Sequence, residues 1–139
     1  MRTVSLLPGL GLRARPIPRE FQLQVAVVAH LERRLNRGWA FNHPGSGERR
    51  DARTAAKLKA MGLRPGRPDL ELISPVGLYY GLELKDGGGQ RVPTAGLNDE
   101  QLRFRSHCIA YGWPYAIGRS LDDALAVLEG WGAIGGTTA

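Results

Sequence analysis

The period of the apolar positions changes several times along the chain, and each change marks an element. Between Arg19 and about Leu35, Phe21, Val25, Val28 and Leu35 recur at helical spacing, and Val27 and Leu31 widen the stripe. Pro18 stands where a helix can begin, because its missing N–H has no partner to lose there. Trp39 to Asn42 reads as a short strand, and Pro44, Gly45, Ser46 and Gly47 as a loop. Ala52 to Met61 returns to helix and is closed by Gly62. Leu70, Leu72 and Ile73 belong to one strand and Leu78 to Lys85 to another, with Ser74-Pro75-Val76-Gly77 turning between them. Asp86 to Gly96 is glycine-rich and has no period, which predicts a mobile loop at the hairpin's end. A third helix opens at Asn98, with Gln101 completing a capping box and Leu97 and Leu102 placed as a staple, and ends near Gly112. Pro114 to Arg119 gives a further strand. Ser120 then caps a last helix striped by Leu121, Ala124, Leu125 and Leu128. Strands and helices in this order predict an α/β fold, a mixed β-sheet flanked by helices.

At 139 residues and 42% apolar content the chain is expected to build a single core. Residues 1–18, with Pro8, Pro16, Pro18 and three arginines, read as an N-terminal arm; 19–132 is the folded domain and 133–139 a C-terminal tail. The net charge of +6 calls for a polyanionic partner, nucleic acid first. A lone cysteine, Cys108, excludes an internal disulfide and a thiolate-rich zinc site and suits a reducing compartment, the cytoplasm. Val4 to Leu12, broken by Pro8, Gly9 and Gly11, is too short to cross a membrane, so no membrane association is expected. Gly87, Gly88 and Gly89 lack the lysine and hydroxyl residue of a phosphate-binding loop, and no nucleotide cofactor is expected.

The hairpin carries the chemistry. Leu78, Tyr80, Leu82 and Leu84 point one way, and Tyr79, Gly81, Glu83 and Lys85 the other. In the first strand Leu70 and Leu72 face the core, leaving Asp69, Glu71 and Ile73 opposite. The apolar faces coincide only across an odd-length loop, and Pro75-Val76-Gly77 suits a type I turn followed by a left-handed glycine. Ser74 then faces Leu78, and Asp69 lands opposite Glu83 on the face of Lys85. Carboxylates facing at roughly 5 Å repel unless one is protonated or a cation intervenes. A hard cation such as Mg²⁺ or Mn²⁺ suits such ligands, and with a lysine alongside the geometry fits phosphodiester cleavage. Taken alone, the same residues also fit a surface ion pair between Glu83 and Lys85.

The run Gly62-Leu63-Arg64-Pro65-Gly66-Arg67-Pro68-Asp69-Leu70, followed by Gly81-Leu82-Glu83-Leu84-Lys85, Gly87 and Gly88, and then Glu100-Gln101 opening a helix, resembles the VRR-NUC family of the PD-(D/E)XK nuclease superfamily. The likeness extends from about residue 20 to Trp131. It departs at Arg67, where relatives often carry a small apolar residue, and no Val-Arg-Arg lies near the hairpin. The resemblance implies a restriction-endonuclease-like fold in which Asp69 and Glu83 bind the metal with the carbonyl of Leu84, and Lys85 is the catalytic lysine. Gln101 matches a glutamine lying over the site, a role that competes with its place in the capping box. Glu20 resembles the acidic residue of the first helix, with Gln24 one turn on; a first-turn glutamate also stabilises a helix dipole.

Arg49, Arg50, Arg53, Lys57 and Arg67 form a basic stripe that fits a DNA backbone, although each also fits a solvated helix face. The expected activity is that of a Mg²⁺- or Mn²⁺-dependent DNA endonuclease. By resemblance to stand-alone domains of this type, the expected substrate is branched DNA such as Holliday junctions, and the expected assembly a homodimer. The alternatives are a DNA-binding module that does not cut, or a nicking or flap nuclease within a larger complex.

Overall fold

A computed structural model describes residues 16–45, 50–88 and 91–135. Its elements run α1 (Arg19–Arg34), β1 (Ala40–Asn42), α2 (Ala52–Ala60), β2 (Leu70–Ile73), β3 (Tyr79–Leu84), α3 (Asp99–Tyr111), β4 (Tyr115–Gly118) and α4 (Leu121–Trp131). The strands form one sheet in the order β1-β2-β3-β4. The β1/β2 and β2/β3 pairs are antiparallel and β3/β4 is parallel, so the sheet is mixed as expected.

The hairpin has the anticipated register. Leu70 pairs with Leu82 and Leu72 with Tyr80, and the Ser74 N–H donates to the Leu78 carbonyl at 2.9 Å. Gly77 takes φ +83°, the left-handed conformation that lets three residues close the turn in that register. The pairing puts Leu70, Leu72, Leu82 and Leu84 on one face, where all four are buried against Val27 and Leu31 of α1 and Ala124 and Leu128 of α4. Gly118 allows α4 to lie this close: a Cβ there would stand 2.9 Å from that of Ala124. Tyr79 points to the other face and meets Phe104 of α3 edge-on at 6.1 Å.

Two expectations need correction. The buried stripe of α1 is Val27 and Leu31, whereas Phe21 and Val25 are more than half exposed, at 59% and 52%. Helical spacing alone accepts either orientation; packing against β3 and α4 selects the second. The segment from Asp86 to Gly96, expected to be a mobile loop, is fastened at its described ends. The Arg119 guanidinium donates to the carbonyls of Gly87, Pro93 and Ala95 at 2.9, 2.7 and 2.8 Å. The core also continues past residue 132, since Ala133 and Ile134 are buried and Ile134 bridges to Leu35. Among the described residues no helix is long and apolar enough to cross a membrane.

Candidate active site

Where the hairpin opens, Asp69 at the foot of β2 approaches the end of β3. Its Oδ2 accepts the Leu84 N–H at 2.8 Å, and its carboxyl faces that of Glu83 closely enough to perturb it. Glu83 is only 2% exposed. Burial first, then the neighbouring Asp69 carboxyl, push the Glu83 carboxyl well above the usual carboxylate range; Lys85 opposes this and Glu20 adds to it. Protonation of one acid or a cation between the two relieves the strain of such a pair. Burial also removes the surface ion pair as an account of Glu83 and Lys85: no salt bridge joins them.

The donor set tests whether an ion fits here. Glu83 Oε2 is buried and has no hydrogen-bond partner, an orphaned oxygen aimed where a ligand-binding oxygen is needed. Among the described residues no three His, Cys, Asp or Glu side chains gather closely enough to hold a metal by themselves. Two carboxylates, a backbone carbonyl such as that of Leu84 and solvent oxygens make up the set. That composition fits a hard divalent ion with a partial water shell.

The other predicted residues surround this pair. Glu20 lines an open groove of about 480 Å³ with Gln24, His43 and Asp69, and the Glu20 charge reaches Glu83. The aliphatic stem of Lys85 passes beside Gly96, in the turn held by Arg119. Gln101 lines a smaller groove of about 110 Å³ that also reaches Asp69 and His43. Its Oε1 accepts the Asn98 N–H at 2.9 Å and Asn98 Oδ1 accepts the Gln101 N–H at 2.9 Å, so the capping box is complete and only the amide nitrogen of Gln101 can turn to the groove.

Three residues to which the sequence reading gave no role in the site, His43, Tyr115 and Arg119, are drawn to it, and Gln24, read there beside Glu20, joins them. His43 Nδ1 lies 2.7 Å from the Asp69 carbonyl oxygen; a carbonyl only accepts, so Nδ1 carries the proton. The Gln24 amide nitrogen lies 3.1 Å from the same ring nitrogen, which cannot accept from it while it donates to Asp69, so Gln24 sits beside the ring without bonding it. Tyr115, paired with Gly81 across the parallel strands, carries a buried hydroxyl with no partner, and burial beside Glu83 raises its pKa. Arg119 acts on the loop behind Lys85. No local signal marks Tyr115 or Arg119, because the partners of each lie more than twenty residues away in sequence.

Of the basic residues, Arg53 and Lys57 stand exposed on α2, a helix with no buried residue. Arg50 donates to the Gly45 carbonyl at 2.6 Å. Arg67 is ion-paired with Glu71, which also accepts from the Tyr79 hydroxyl, and its guanidinium lies 4.4 Å from the Phe104 ring centroid. Arg49 lies outside the described residues.

A mixed four-stranded sheet with helices on both faces and paired acids where its central hairpin opens is an α/β fold of the restriction-endonuclease-like kind. The particular fold is that of the VRR_NUC domain. A solved structure described as "VRR_NUC domain" superposes with a TM-score of 0.54 at 19% identity, over 81% of this chain and 97% of that one. No family model matches the sequence, and no curated protein matches it.

Proposed function

We propose that this protein is a divalent-metal-dependent endonuclease that hydrolyses phosphodiester bonds in DNA. One observation supports the reading: the half-buried Asp69 meets the buried Glu83, which has one orphaned oxygen, and Lys85 follows two residues on. Holding two acids in this way is costly unless a cation is meant to join them. Asp69, Glu83 and the Leu84 carbonyl would hold Mg²⁺ or Mn²⁺. Such an ion, when bound, supplies Lewis-acid polarisation of the phosphodiester and a water of lowered pKa.

The chain's own residues do the remaining work. The Leu84 N–H fixes one oxygen of Asp69, so the carboxylate keeps its orientation. His43 holds the backbone of Asp69 from the far side. Lys85 sets a positive charge beside the acids, where it orients the attacking water or a non-bridging phosphate oxygen. The water oxygen joins phosphorus as the bond to the 3′ oxygen breaks, leaving a 5′-phosphate and a 3′-hydroxyl. Arg53 and Lys57 offer cations to the DNA backbone. Branched DNA is the substrate class we assign, cut by a homodimer whose two sites face two strands. The exposed Phe21 and Val25, at the rim of the groove that contains Glu20 and Asp69, give a second copy apolar surface to cover.

The test sets a labelled four-way junction beside a linear duplex of matching sequence, in Mg²⁺, in Mn²⁺ and in EDTA, with the wild type, Asp69→Asn and Lys85→Ala. Metal-dependent cutting of the junction that both substitutions abolish is expected, from a protein that sediments as a dimer. Binding without cleavage in either metal would overturn the enzymatic reading.

A further inference from the structure

A second concave surface adjoins the carboxylates, and nothing in the hydrolytic chemistry uses it. It is an open pocket of about 450 Å³ between α3 and the segment before Asp69. On α3, Glu100, Arg103, Phe104 and His107 follow the spacing that puts side chains on one helical face, and all four line the pocket. Arg64 lines it from across the gap and Trp113 from beyond the end of α3. The two walls are held together at Gly66, where φ is +84° and a Cβ would overlap the Glu100 carbonyl.

The floor is aromatic. The Phe104 and His107 rings are nearly parallel, at 14° with centroids 6.2 Å apart, and Trp113 meets His107 edge-on at 4.9 Å. The Arg67 guanidinium over Phe104 fixes one ring face and is itself held by Glu71. These rings do not serve only as core, because His107 is exposed, as are the two arginines Arg64 and Arg103. Rings without cations would suit an apolar ligand, and cations without rings a bare phosphate. Their combination suits a nucleotide, whose base stacks while its phosphate meets the arginines. The base has to be unpaired, because in a duplex both of its faces are covered by neighbours. Glu100 at the edge can accept from a base amino group.

The pocket is also connected to the site. The small groove that reaches Asp69 and Gln101 shares Arg67 and Glu100 with it, so a strand crossing Asp69 continues into it. We propose that the pocket formed by Phe104, His107, Trp113, Arg64 and Arg103 takes an unpaired nucleotide of the DNA strand that enters the active site. The proposal rests on the nuclease reading and narrows it, selecting among branched substrates those in which a nucleotide unpaired at the branch adjoins the cut.

Binding in EDTA separates the two ideas. A blunt duplex and the same duplex with a short single-stranded extension of either polarity are compared by fluorescence anisotropy, with 2-aminopurine at the first unpaired position. The proteins are the full chain, His107→Ala and the volume-conserving Phe104→Leu. The extension is expected to tighten wild-type binding by at least about fivefold, the low end of what one stacked base contributes, and to quench 2-aminopurine. Both effects should vanish in the two variants while blunt-duplex affinity holds. Equal affinity for the two DNAs, or a preference that survives both substitutions, would overturn the stacking pocket and leave the nuclease reading standing. Failure to bind any DNA would overturn both.

Discussion

At the scale of single residues, the site is a contest between desolvation and charge. Glu83 is buried beside Asp69 with one oxygen unpartnered, so its ionised form is disfavoured. Glu83→Gln keeps the shape of the side chain but cannot ionise. We expect its thermal midpoint in EDTA to rise by about 2–4 °C, roughly 1 kcal/mol for a chain of this size, while the stabilisation that Mg²⁺ gives the wild type disappears. A melt in which Mg²⁺ stabilises wild type and variant equally would place the ion elsewhere. Tyr115 makes the complementary case. Its hydroxyl is buried with no partner, so Tyr115→Phe forfeits no hydrogen bond and should leave stability unchanged or raise it by up to about 1 kcal/mol in urea denaturation. A loss of more than about 1 kcal/mol would mean that the hydroxyl is bonded in solution.

At the scale of elements, each helix depends on a different signal. α4 follows from its apolar stripe, buried at Ala124 and Leu128. α3 has a single buried residue, Cys108, and was legible through its capping box instead. α2 buries nothing and rests on its cap: Asp51 accepts the Thr54 N–H at 2.8 Å and its hydroxyl at 3.1 Å. These bonds to Thr54 hold the Asp51 pKa below its ordinary value. The cap therefore contributes fully above the unfolded value of about 3.9 and is lost as pH falls through the lower, folded one. In an acid titration followed by NMR, the Thr54 amide resonance should shift toward its unpaired position below about pH 4 in the wild type. In Asp51→Asn, which caps without titrating, it should stay put.

The same contrast explains how much could be read in advance. The order of elements, the hairpin register and the meeting of Asp69 with Glu83 follow from local rules of alternation, turn chemistry and capping. What escaped depends on partners distant in sequence. The buried face of α1 was set by β3 and α4, the Arg119 contacts join carbonyls 24 to 32 residues away, and Tyr115 gains its setting by lying parallel to β3. Arg67, grouped with the DNA-facing cations, is the exception: Glu71, which holds it, lies only four residues on, whereas only the fold brings Phe104 beneath it.

At the scale of the whole molecule, the site is built where three long-range connections converge: the β2/β3 hairpin, the His43 contact from the end of β1, and the loop drawn in by Arg119. Losing the last should loosen Lys85 without dissolving the core, because the buried leucines lie on the opposite face of the sheet. Arg119→Ala is expected to lower stability by about 2 kcal/mol, as charge-assisted hydrogen bonds to carbonyls are lost. Amide exchange should rise at Gly87 and Ala95, and cleavage should fall more than DNA binding does. Unchanged exchange at those amides would show that the loop holds its course alone.

The grip of Arg119 has an evolutionary consequence. All three of its acceptors are main-chain oxygens, so it recognises the route of the loop and not its spelling. Point changes along this stretch should be tolerated wherever the route is kept, whereas a deletion of one residue would pull a carbonyl out of reach. The tether gives this part of the protein freedom to explore new side chains beside Lys85 while its length stays fixed.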